Sequence, residues 1–72
     1  MEKNDEELIR SLVGQDAELK RFYEEHLDLE RQLEQMRHKH FLTPEEDLEK
    51  KRIQKLKLAG KDRIMQILTR YR

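Results

Sequence analysis

Leu19, Phe22, His26, Leu29, Leu33, Met36 and His40 recur at alternating steps of three and four residues, and most positions between them are Glu, Asp, Lys, Arg or Gln. This seam predicts one long amphipathic helix with a narrow apolar stripe. Asp16 is its expected N-cap, because a carboxylate there accepts the free amide hydrogens of the first turn. From residue 16 to residue 40 the helix would run about 37 Å at 1.5 Å per residue. Ahead of it, residues 1–15 read as a short helix and hinge. Asn4 and Glu7 have capping-box spacing, Leu8 and Leu12 share a face, and Gly14 suits a left-handed C-terminal cap. So short a helix is marginal alone in water and must dock or fray.

The stretch "HKHFLTPEE" predicts a corner. Thr43 stands at an N-cap, Pro44 at the first helical position, and Glu46 three residues after the threonine completes a capping box. Glu45, Glu46 and Asp47 also oppose the positive end of the helix dipole. The chain therefore reads as helix 16–40, turn 41–43 and helix 44–72, with Ile53, Leu56, Gly60, Ile64, Ile67 and Tyr71 on one face of the second helix. A turn this short makes the two helices antiparallel. The predicted fold class is all-α: a coiled-coil-like two-helix hairpin with a short N-terminal helix. Register sets Leu33 opposite Ile53, Leu29 near Leu56, Phe22 near Ile64, Leu19 near Ile67, and His26 across from Gly60. A mid-helix glycine loses about 1 kcal/mol relative to alanine, and the expectation is that Gly60 makes room for the Phe22 and His26 rings. Leu58, Met65 and Leu68 lie off that face, which predicts a second apolar stripe, self-association, and most simply a dimeric four-helix bundle.

Composition narrows the classes. The chain has 72 residues, 44% of them charged, with one proline, two glycines and no cysteine. That suits charged helices in one small domain and excludes disulfides and thiolate metal sites. No apolar run is long enough for a membrane span or a signal peptide, so a reducing, cytoplasmic setting is expected. His38 and His40 stand at i, i+2 and point to different faces of a helix, so no metal or other cofactor is expected there. Net charge is zero but divided: residues 1–37 hold 6 Lys and Arg against 11 Asp and Glu, and residues 38–72 hold 10 against 5. An acidic helix is thus set beside a basic one.

The order of "LKRFYEEHLDLE" and, after the corner, "RIQKLKLAGKDRI" resembles the YdcH-like family of small bacterial proteins. The resemblance is carried by Leu19, Phe22, Tyr23, Glu24, His26, Leu29 and Glu30, then by Lys57, Leu58, Lys61 and Asp62, and it covers residues 8 to 70. The chain departs from the pattern at Gly60 and Arg63. The resemblance implies a bacterial, cytoplasmic helical hairpin to which no catalytic activity is attached.

Function follows by class. A two-helix hairpin encloses no dry pocket of convergent polar groups, so no enzyme activity and no catalytic residues are expected; Glu24, Glu25 and Glu30 read as a solvated face. Lys50, Lys51, Arg52, Lys55, Lys57 and Lys61 form a basic strip that would suit weak nucleic-acid binding. The neutral total and the lack of an aromatic stacking platform count against that alternative. The leading expectation is a structural or interaction module whose partner is its own copy or another protein.

Overall fold

The computed structural model describes residues 2–72, and among them every regular element is helical: α1 (Lys3–Leu12), α2 (Ala17–Arg37) and α3 (Pro44–Leu68). α2 packs against α3, and the molecule measures 42 × 19 × 18 Å. Cross-helix ion pairs and hydrogen bonds join Lys39 to Glu46, Glu30 to Lys57, Glu18 to Arg63 and Asp16 to Tyr71. Their order is opposite along the two helices. No helix among the described residues is long and apolar enough to cross a membrane.

Both predicted N-caps of the long helices form. The Leu19 amide donates to Asp16 Oδ1 at 3.0 Å. At the corner the Glu46 amide donates to Thr43 Oγ1 and the Thr43 amide donates to Glu46 Oε1, each at 3.1 Å, completing the box ahead of Pro44. Three boundaries differ from the expectation. α1 begins at Lys3 with Glu2 at its N-cap and no side-chain cap bond, so Asn4 and Glu7 lie inside the helix rather than in a capping box. Gly14 is not left-handed, because the amides of Gln15 and Asp16 both donate to the Leu12 carbonyl and close an ordinary right-handed turn. α2 stops at Arg37 rather than at residue 40. Proline restricts the residue before it to extended backbone, and Thr43 is extended at φ −67°, ψ 161°, so the reversal takes more chain than a three-residue turn provides.

α3 also ends early, at Leu68 rather than Arg72. Thr69 turns its hydroxyl back onto the Gln66 carbonyl at 2.6 Å, and Arg70 and Tyr71 close tight turns on Ile67 and Leu68. Tyr71 is thereby withdrawn from the buried face it was expected to share. It lies exposed, with its phenol donating to Asp16 Oδ2 at 2.7 Å.

The core sits at one end. Ile9 and Leu12 of α1 close over Leu19 of α2 and Ile64, Ile67 and Leu68 of α3, with Leu8, Val13, Phe22, Tyr23 and Met65 packed around them. α1 therefore docks, and the residues that dock it correct the predicted self-association stripe. Leu68 is fully buried and Met65 packs against the same cluster, so both are used within the chain; Leu58 alone of the three stays exposed. Away from this end Ile53 is buried outside the main cluster, while Leu56, assigned to the hairpin core, is 45% exposed. Gly60 is corrected too. A Cβ built there would meet nothing within 4 Å, so no ring lies over its backbone and no packing within the chain demands a glycine.

Two truncations separate the corrected roles. Leu68→Ala opens a cavity in the three-helix core and is expected to cost about 2–5 kcal/mol in urea denaturation. Leu58→Ala should cost less than about 0.5 kcal/mol, as exposed positions do. Equal losses at the two positions would contradict the placement of α1.

Candidate docking surface

A helix of ten residues covers about 15 Å of a neighbour. α3 is 25 residues long, so the far half of the α2–α3 pair has no third layer. Leu27, Leu48, Leu56 and Leu58, the large apolar side chains left most exposed along the helices, all fall in that half. Two open grooves flank it. One is lined by Phe22 and Leu29 of α2 and by Leu56, Ala59 and Gly60 of α3, with Glu25 and Asp28 at its rim. The other, on the opposite side, is lined by His26, Leu33, Gln54, Lys57, Leu58 and Lys61. Leu29, Leu33 and Met36 of the predicted seam are only partly buried, because the facing helix covers one side of each and solvent the other.

His26 marks the border between the closed and open halves. It is the one buried polar residue among the described residues, at 4% exposure. Its Nε2 lies 3.1 Å from Glu30 Oε1, the same oxygen that Lys57 Nζ approaches at 3.4 Å. Nδ1 is buried with no partner, a state that favours a neutral ring over a charged one. Burial pushes the imidazole below its ordinary pKa, Glu30 pulls the other way, and Lys57 reinforces the lowering. Through the shared Glu30 oxygen, His26 of α2 is linked to Lys57 of α3.

Half of the basic strip is paired within the chain. Lys51 pairs with Asp47 at 3.2 Å, Arg52 with Glu49, and Lys57 with Glu30. Lys50, Lys55 and Lys61 have no ion-pair partner among the described residues. The Arg52 pair holds the Glu49 carboxyl below its usual range, and the Lys39 pair does the same to Glu46. His38 sits beside Glu34 at 3.2 Å, and no group of three potential metal ligands converges among the described residues. Sequence reasoning missed Ile9, Tyr23 and the inward role of Leu68. The three-four spacing of Ile64, Ile67 and Leu68 carried that last signal.

Because His26 is harder to protonate folded than unfolded, its neutral form contributes stability that is complete above about pH 6.5, the ordinary imidazole value, and is lost as the pH falls below it. Melting curves should show a lower midpoint at pH 5 than at pH 7, with the difference smaller in His26→Leu. An unchanged pH dependence in the variant would remove His26 as its source. No family model matches the chain, and no curated protein or solved structure matches it either.

Proposed function

We propose that the chain is a non-catalytic helical interaction module, an antiparallel hairpin braced at one end by α1 and open to a protein partner at the other. The observation that carries this reading is the concentration of exposed leucines, at positions 27, 48, 56 and 58, in the half that α1 does not reach. They line separate grooves, with Leu56 on one side of the pair and Leu48 and Leu58 on another, and exposed apolar side chains gathered at one end of a small protein offer contact sites. The resemblance to YdcH-like proteins favours the same class, and with it a bacterial, cytoplasmic setting. A photo-reactive amino acid placed at position 56 or 58 in cells that make the protein should give discrete protein adducts. The same group at Lys20, exposed beside the closed core, should give none. Equal labelling at all three positions would overturn the module.

The second reading is nucleic-acid binding through α3, favoured by the unpaired Lys50, Lys55 and Lys61. Three free cations neutralise few phosphates, so binding should be weak, no tighter than about 10⁻⁴–10⁻⁶ M at physiological salt, and should fall steeply as salt rises. A titration giving nanomolar affinity for mixed-sequence DNA or RNA at physiological salt would put this reading ahead.

A further inference from the structure

The flank of the helix pair that α1 occupies runs on past it. On α3, Gln54, Lys57, Lys61, Met65 and Leu68 follow one another at steps of three or four residues and so share one side of the helix. Met65 and Leu68, nearest the closed end, belong to the core that α1 completes. Gln54, Lys57 and Lys61, with Leu58 beside them, instead line an open groove whose other wall is His26 and Leu33 of α2. Along one flank the side chains thus change from apolar, under α1, to basic in the open stretch. No carboxylate lines that groove.

Two groups in the groove lack a counterpart. Lys61 is half-buried and has no ion-pair partner among the described residues, whereas Lys57 is already engaged by Glu30. His26 is buried with Nδ1 unpartnered and Nε2 beside Glu30. An anion in the groove would compensate Lys61 and favour a proton on the free imidazole nitrogen. α1 shows what kind of element this flank accepts. It is an amphipathic helix with Asp5, Glu6 and Glu7 in its first half, and it lays Ile9 and Leu12 on the core while Asp5 meets Arg72.

Building on the interaction-module reading, we infer that this groove receives an acidic amphipathic helix of a protein partner, laid in line with α1 so that the third layer continues along the pair. Its apolar residues rest on Leu33 and Leu58, and its carboxylates meet Lys61 and approach His26. Helices seat in grooves by this combination of apolar anchors and flanking charge. A nucleic acid suits the place less well, because one free cation neutralises few phosphates and the two leucines offer a base no stacking surface.

The probe is a fluorescent helical peptide of about five turns, built from Leu, Ala and Glu with the leucines on one face, titrated by anisotropy against the intact chain. It should bind at micromolar concentrations, and the same peptide with Lys for every Glu at least about tenfold more weakly. Lys61→Glu should weaken the Glu peptide by about tenfold and strengthen the Lys peptide. Leu58→Ala should also weaken the Glu peptide, and Leu56→Ala, in the opposite groove, should not; circular dichroism confirms that each variant stays helical. The bound Glu peptide should raise the midpoint of the His26 ring titration followed by NMR, since a nearby anion favours the charged ring. No binding, equal binding of the two peptides, or sensitivity to Leu56→Ala alone overturns the inference. Tighter, Lys61-dependent binding of a DNA duplex or of phosphatidylglycerol vesicles overturns the acidic helix as occupant. A homodimer that Lys61→Glu dissociates gives the place to a second copy and overturns the separate partner. If the peptide fails but a photo-reactive group at position 56 still gives discrete adducts in cells, the interaction module stands and only the occupant of this groove is wrong.

Discussion

The packing of α1 onto the Leu19, Ile64, Ile67 and Leu68 end of the helix pair is the contact on which the rest of the molecule depends, and its reach is limited by length. Ten helical residues span about 15 Å, while the molecule is 42 Å long. Where α1 lies, Ile9, Leu19, Ile64, Ile67 and Leu68 are each fully buried. Where it does not, a two-helix layer can hide only the residues pointing straight at the facing helix, and Ile53 is the one that is fully enclosed there. Two helices in contact each bury a narrow stripe, so apolar positions to either side of the stripe stay wet. The chain thus combines a small three-layer core with an apolar surface that its own length cannot cover.

Polar groups at the helix ends hold this arrangement in register. Asp16 caps α2 through the Leu19 amide and accepts the Tyr71 hydroxyl from beyond the end of α3. Those two bonds keep its carboxyl below the usual range, the phenol contributing most, and the same bond pushes the Tyr71 phenol up. Arg72 reaches Asp5 of α1, so the last residues of the chain clasp both neighbouring helices at the closed end. At the other end the Thr43 box and the Lys39–Glu46 pair fix the corner. Exposed ion pairs of this kind are individually worth about 0–1 kcal/mol, and their effect lies in selecting one alignment.

Local rules made the long elements legible, and partner number decided where they failed. The Leu19-to-Met36 seam and the Thr43–Pro44–Glu46 corner each rest on spacings that act within a few residues, and both helices start where those rules put them. Leu68 and Met65 were misplaced because a helical wheel sorts residues by direction and cannot say how many neighbours stand around the helix. With one facing helix Leu68 is lateral; with α1 added it becomes central. Tyr71 failed for a different reason. The periodicity of α3 reaches it, but a single hydrogen bond to Asp16 and the Thr69 hydroxyl bond end the helix first. Gly60 invited a packing explanation inside the chain, and the open space beside it removes that explanation.

The division of charge along the chain acts where the two helices face each other. Within one chain the acidic and basic helices meet along their shared seam, where Glu18–Arg63 and Glu30–Lys57 bridge them. These bridges occupy the edges that face the partner helix. Further round, Asp28 pairs with Arg31 and Arg52 with Glu49, each on its own helix. Exposed pairs three residues apart on one helix favour the helical form slightly and say nothing about which helix lies opposite. The asymmetry of charge along the chain therefore bears on alignment only where the two helices face each other, at Glu18–Arg63 and Glu30–Lys57.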